Sequence, residues 1–252
     1  MLRSLFLICF LTIYILLAGP PLLVYSLLVG NARLLYRAGL GGVLFAVRAV
    51  GVKIRVEGLE NVPPGACLFV ANHTSSADAP AVVEAIPRQV AILLKESLFR
   101  YPIVGQAFRL AKFVAVNRSN REAAISSVER ATEGLRAGTS FLIYPEGTRS
   151  PDGRLQAFKK GAVVMAIKAG VPIVPVACAG AHRIMEKRKL VIHPGEIVVR
   201  FCPPIETTGF TVEQRDELNA MVRAALAAGL PPDQRPLDLQ AEPQPENGNS
   251  II

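Results

Sequence analysis

The sequence predicts an α/β fold, a mixed sheet flanked by helices, behind an N-terminal membrane-associated helical segment. Three observations lead there. From Gly51 to about Leu230, short apolar runs of strand length alternate with helix-like stretches. From Ser4 through Ala32 no residue is charged. With 252 residues and 51% hydrophobic content the chain can bury one sizeable core, so its length favours one main domain with appendages. The expected division is residues 1–50 as membrane anchor and interfacial helix, 51–230 as the main domain and 231–252 as a disordered tail.

Ser4 to Gly30 comes first. Ser4–Leu17 has the character of a signal-peptide core, yet no Ala-x-Ala site follows and the apolar run resumes over Leu22–Gly30, so a retained anchor fits better. As one helix this stretch would reach about 40 Å, enough to span a bilayer. Gly19-Pro20-Pro21 in its middle removes amide donors and kinks the rod, so a kinked span and a re-entrant hairpin are both open. Beyond it, Arg33, Arg37 and Arg48 would project at about 0°, 40° and 60° on a continuous helix otherwise filled by leucine, valine and phenylalanine. Such a basic stripe suits the headgroup boundary, with arginines on lipid phosphates. More Lys and Arg follow the apolar run than precede it, so if the segment spans, the body is expected at the cytoplasmic face of the inner membrane.

In the body, Lys53–Val56, Ala66–Ala71, Phe113–Val116, Phe141–Tyr144 and Ile173–Cys178 have the composition of strands. Leu190–Ile192 and Ile197–Phe201, joined by His193-Pro194-Gly195-Glu196, suggest a hairpin. Ala77–Ile86, with Pro80 near its start, reads as a helix that Ser75 or Ser76 can N-cap. Ile125, Val128, Thr132 and Leu135 recur at helical spacing, and Thr211-x-x-Gln214 is a capping box opening a helix to about Ala228. Pro231 to Ile252 holds five prolines, four acids and one arginine with no apolar periodicity. Setting that tail's net −3 aside raises the balance of the rest from +8 to about +11, so the body's partners are expected to be anionic. Aromatic content of 6%, no tryptophan and no nucleic-acid-reading motif argue against nucleic acid. Cys9, Cys67, Cys178 and Cys202 are far apart in apolar runs and read as reduced core residues.

Two strand ends carry chemistry. In Asn72-His73-Thr74-Ser75-Ser76-Ala77-Asp78 a histidine precedes an aspartate by five residues where an apolar strand gives way to a helix. A general base needs one ring nitrogen free and the other hydrogen-bonded, best by a carboxylate. On one helix these side chains would point roughly 140° apart, so the pair forms only if His73 leaves the strand and Asp78 sits in the next helix's first turn. There free amides and the helix dipole keep the aspartate anionic. The second strand end is Tyr144-Pro145-Glu146-Gly147-Thr148-Arg149: Pro145 stops pairing, Gly147 lets backbone approach a ligand and Arg149 offers a fork to phosphate.

Together with Phe113-Val114-Ala115-Val116-Asn117-Arg118 and Val171-Pro172-Ile173-Val174-Pro175-Val176, these blocks resemble the glycerolipid acyltransferase family, over about Val62 to Pro204. Asn117 and Tyr144 stand where the family more often has aspartate and phenylalanine. The resemblance implies a glycerol-3-phosphate acyltransferase-like fold and acyl transfer from acyl-CoA or acyl carrier protein to the hydroxyl of a lysophospholipid, in particular 1-acyl-glycerol-3-phosphate, giving phosphatidic acid. It implies His73 as the base and Asp78 as its partner, with Arg118 and Arg149 on the acceptor phosphate. Lys95 and Lys159, close in sequence to these blocks, are expected to join them. Glu146 is expected to orient the acceptor or the turn, Ser75 and Ser76 to be caps, Gly147 and Thr148 to bind substrate, and backbone amides near Gly147 to receive the oxyanion. No cofactor or metal is expected, since His182 and His193 lack ligand spacing with His73. Membrane lipids are the expected surroundings. Acylation of another lysolipid, and a silent lipid-binding protein of the same fold, are the alternatives; a hydrolase would need a nucleophile elbow that the sequence lacks.

Overall fold

The computed structural model describes residues 1–117, 120–187, 189 and 191–239. The chain opens with α1 (Leu2–Val29), turns at Gly30 in the left-handed region, and returns along α2 (Arg33–Ala49). Pro20 and Pro21 lie inside α1, which stays one helix; the fold-back comes at Gly30 rather than at the prolines, so residues 4–30 form no re-entrant hairpin of their own. Small residues let the two helices meet. A Cβ on Gly42 would collide with the Tyr14 ring, whose hydroxyl donates to the Ala38 carbonyl at 2.9 Å, and Phe10 meets Phe45 at 5.1 Å between centroids.

After the helical pair come β1 (Val52–Glu57), β2 (Leu68–Ala71), α3 (Asp78–Ala85), β3 (Ala91–Lys95), α4 (Pro102–Leu110) and β4 (Val114–Val116). Then follow α5 (Arg121–Arg136), β5 (Phe141–Ile143), α6 (Gly161–Ala169), β6 (Ile173–Ala179), α7 (Ala181–Ile184), β7 (Gly195–Phe201) and α8 (Arg215–Gly229). The seven strands form one mixed sheet in the order β1-β7-β6-β2-β5-β3-β4. All neighbours are parallel except β6 and β7. The strand period of two explains why β2 is apolar throughout: Phe69 and Ala71 enter the core under α2 and α3, while Leu68 and Val70 enter the one under α5, α6 and α8. Covered on both faces, the sheet leaves its strand ends for a ligand, and β2, β3, β4, β5 and β6 all finish at one edge.

Several expectations need correction. Leu190–Ile192 and Ile197–Phe201 do not pair as a hairpin, because β7 takes β6 and β1 as neighbours. Leu190 lies outside the described residues, and the buried Ile192 donates its amide to Ser4 Oγ of α1 at 3.1 Å. Strand β3 was not anticipated from the sequence. Of the expected α5 stripe only Ile125 is turned out, at 51% exposed; Val128 packs on the core and Thr132 and Leu135 are buried, joined by Ser127 and Ala131. Arg33, Arg37 and Arg48 are all exposed as the stripe requires, and Arg48 also pairs with Glu84 of α3. Cys9 is exposed, unlike the other three cysteines. Residues 231–239 are not a loose tail: Gln234 is buried, its carbonyl accepts Leu155 N at 2.9 Å, and Asp238 takes both terminal nitrogens of Arg223. Residues 240–252 lie outside the described residues.

Candidate active site

Where β2 ends, side chains take over the work of the ladder. Asn72, fully buried, exchanges two hydrogen bonds with the backbone of Cys178 in β6: its Nδ2 donates to the carbonyl (2.9 Å) and its Oδ1 accepts the amide (2.7 Å). This keeps the departing chain in register for one more residue, and that residue is His73. Its main chain is clamped from both sides, its N–H donating to Glu146 Oε1 (2.6 Å) and its carbonyl accepting Ser150 N (2.7 Å).

The five-residue interval then closes on itself. His73 Nδ1 lies 3.0 Å from Asp78 Oδ2, and Asp78 is the first residue of α3, with no exposed surface. The same oxygen accepts Thr74 N (2.6 Å) and Ser75 N (2.7 Å), while Oδ1 faces Thr74 Oγ1 (3.3 Å) and Cys178 Sγ (3.7 Å). An aspartate ringed by donors accepts the Nδ1 proton, which leaves the Nε2 lone pair as the basic end of the imidazole. The amides that hold it precede the helix. This corrects the capping expectation: Ala77 is the N-cap residue without a side-chain cap, Ser75 Oγ donates to Met185 O (2.8 Å) and accepts Ala77 N (3.2 Å), and Ser76 Oγ accepts Arg149 Nη1 (2.7 Å).

The turn after β5 divides into a buried half and an exposed half. Tyr144 lays its ring on the imidazole, centroids 4.3 Å apart and planes at 27°. Burial, with the nearby Asp78 and Cys178, pushes its phenol well above the usual range. Glu146 is buried as well; besides His73 N it accepts Gln156 Nε2 (2.9 Å) and Gln156 N (3.3 Å). Burial raises its pKa to about 7, against the lowering effect of those hydrogen bonds. Glu146 thus holds the backbone of His73 through one oxygen and Gln156 through the other.

Gly147 has φ 74°, and a Cβ there would meet Lys159 Cε at 2.9 Å, so the lysine crosses the glycine. The Gly147 amide donates to Tyr144 O (3.1 Å) and so closes the turn. Thr148 is exposed and its carbonyl accepts Gln156 Nε2 at 3.3 Å. Arg149 joins the two turns through Ser76, and its own carbonyl accepts Lys187 Nζ. Lys95 is exposed at the end of β3, in register with Val116 of β4; with β5 between β3 and β2, its main chain is roughly 10 Å from the His73 strand. Arg118 lies outside the described residues. The structure therefore brings His73, Asp78, Glu146, Gly147, Arg149 and Lys159 together and places Lys95 on the same edge at the periphery. Sequence reasoning missed the Tyr144 stack, the Ser150 clamp, Gln156 and Lys187. Only Ser150, adjoining Arg149, and Lys187, in the basic run 187–189, carried any local signal. Among the described residues no group of three or more His, Cys, Asp or Glu side chains is gathered to hold a metal ion.

A histidine with one ring nitrogen fixed on a buried carboxylate, between turns that also carry Arg149 and Lys159, has the arrangement of a general base for an anionic substrate. Comparison with known proteins identifies the family. The family model described as Acyltransferase matches residues 53–179, a span that contains both turns. A 1-acyl-sn-glycerol-3-phosphate acyltransferase from Limnanthes douglasii is 35% identical over 204 residues, 81% of this chain and 72% of that one. One from Pseudomonas aeruginosa is 31% identical over 175 residues, 69% of this chain and 67% of that one. The crystal structure of the LPA acyltransferase PlsC from Thermotoga maritima superposes with TM-score 0.77 at 29% identity, covering 96% of both chains. With the family model spanning half its length and relatives matched over most of theirs, this chain belongs to the acyltransferase family, among the 1-acyl-sn-glycerol-3-phosphate acyltransferases.

Proposed function

We propose that the protein transfers an acyl group from an acyl thioester of coenzyme A or acyl carrier protein to the sn-2 hydroxyl of 1-acyl-glycerol-3-phosphate, forming phosphatidic acid. One observation carries the reading: the imidazole of His73 is fixed at Nδ1 by fully buried Asp78, with its other nitrogen at the strand edge shared by Lys95, Arg149 and Lys159. His73 Nε2 takes the hydroxyl proton as that oxygen attacks the thioester carbonyl, and Asp78 stabilises the imidazolium. The tetrahedral intermediate collapses by breaking the C–S bond, and the departing thiolate recovers the proton from His73. The basic groups bind the acceptor phosphate.

The acceptor comes from the membrane and the product returns to it. Helix α1 is long and apolar enough to cross a bilayer, yet it touches the body at both Ser4 and Gly19, the latter against Ile103 of α4. Its outward side exposes Leu5, Ile8, Leu16, Leu17 and Leu28. Contacts with the body at these two points favour a helix lying at the membrane surface over a perpendicular span.

The test uses the full chain in detergent, with acyl-CoA and acyl carrier protein thioesters each crossed against lysophosphatidic acid and zwitterionic or neutral acceptors. Phosphatidic acid is expected as the main product. His73→Ala is expected to abolish transfer while leaving membrane association intact. Turnover retained in purified His73→Ala, or free fatty acid released without acceptor, would overturn the reading.

A further inference from the structure

We infer that Tyr144 is a positioning residue for His73: its ring face fixes the tilt of the imidazole and favours the protonated form created during transfer. The inference rests on His73 being the base. The hydrogen bonds of His73 fall on its main chain and ring edge. Glu146 and Ser150 clamp the main chain of His73, and Asp78 fixes the ring edge at Nδ1. An edge contact alone leaves the plane free to rock about that hydrogen bond. Tyr144 removes this freedom by a stacked contact, 4.3 Å between centroids with planes 27° apart. Sheet register places it there, because Val70 of β2 pairs with Ile143 of β5 and Tyr144 is the next residue.

The contact is also stronger when it matters. An aromatic face carries negative quadrupole charge, so it attracts imidazolium more than imidazole, and an interaction that grows as the proton moves accelerates the step. The phenol hydroxyl takes no part in this. It is buried and has no hydrogen-bond partner among the described residues. The ring face is what acts, so phenylalanine can replace tyrosine and an aliphatic side chain cannot.

The experiment measures kcat and KM of full-length Tyr144→Phe and Tyr144→Leu in detergent, and the ring resonances of histidine-labelled protein. With three histidines in the chain, the His73 signal is identified by its loss in His73→Gln. Tyr144→Phe is expected to keep kcat within about twofold, and Tyr144→Leu to lower it about tenfold with KM little changed. The His73 ring protons are expected upfield in wild type and Tyr144→Phe, and to move downfield in Tyr144→Leu. Full kcat in Tyr144→Leu, an equal loss in Tyr144→Phe, or a change in KM instead of kcat would overturn the proposal. So would an unshifted His73 signal in wild type, which decides the matter even if Tyr144→Leu does not fold. Retained turnover in His73→Ala would sink the base assignment itself, whereas the ring shift reports the stack without any turnover.

Discussion

The turn after β2 and the turn after β5 lie side by side and are built on opposite plans. In the first, Asn72, Thr74, Ser75 and Asp78 are all buried, and their polar atoms are spent on one another and on Cys178 and Met185. In the second, Tyr144, Pro145 and Glu146 are buried while Thr148 is exposed and Arg149 half-exposed. Proton transfer needs one charge held rigid and dry, while binding an anion needs cations that reach solvent. Neighbouring strands let the buried half of the second turn brace the first and leave its outer half towards solvent.

Breaking the first turn should therefore have the largest effect. Asp78→Asn keeps an oxygen for the Thr74 and Ser75 amides but loses the charge facing the imidazole. The expected result is a fall in kcat on the order of 10²–10⁴-fold with a nearly unchanged melting temperature. Activity within tenfold of wild type would mean that Asp78 is a structural cap and the contrast between the turns is false.

The buried half of the second turn is sharpened by pH. Glu146 has its pKa raised from 4.5 to about 7, so between these values the folded protein holds a proton that the unfolded chain has released. Unfolding then becomes more favourable as pH rises from about 4.5 to about 7, and the loss levels off above that, at about 3 kcal/mol at most. Glu146→Gln has no such titration. Its stability relative to wild type is expected to improve as pH rises through this window, measured as thermal unfolding at pH 5, 6, 7 and 8. Parallel curves would show that the buried carboxyl is not the group that titrates.

How much of this was legible depended on whether a feature is local. The His73–Asp78 turn is a six-residue event whose spacing, flanking apolar strand and following helix all lie in one stretch. The packing of Tyr144 on His73 depends on β2 and β5 being neighbours, 73 positions of chain apart in their partners, and composition does not encode which strands pair. The same holds for β7, whose Gly195-to-Phe201 run looked like the return arm of a hairpin but found β1 and β6 across the sheet. Arg48 was read on an isolated helix, where it joins a basic stripe; α3 and its Glu84 enter only once the body is folded. Residues 231–239 have a tail's composition, yet Gln234 and Asp238 supply exact partners for Leu155 and Arg223, a fit that proline and acid content conceal.

The exposed half of the second turn gives the smallest effect and the finest distinction. Arg149 bonds Ser76 through one terminal nitrogen, and a guanidinium has other donors left for phosphate. Losing one charge-assisted contact of this kind typically costs about 1.5–3 kcal/mol, so Arg149→Ala is expected to raise KM for the acceptor roughly 10- to 100-fold with a smaller change in kcat. Arg149→Lys should recover part of that, since an ammonium keeps the charge but cannot hold Ser76 and a phosphate in one plane. Ser76→Ala separates the two duties: if the bond to Ser76 merely parks the arginine, KM stays near wild type. Should Ser76→Ala or Arg149→Ala instead lower kcat as severely as Asp78→Asn, Arg149 would be part of the base's support, and the division between a chemical turn and a recognising turn would fail at the atom that joins them.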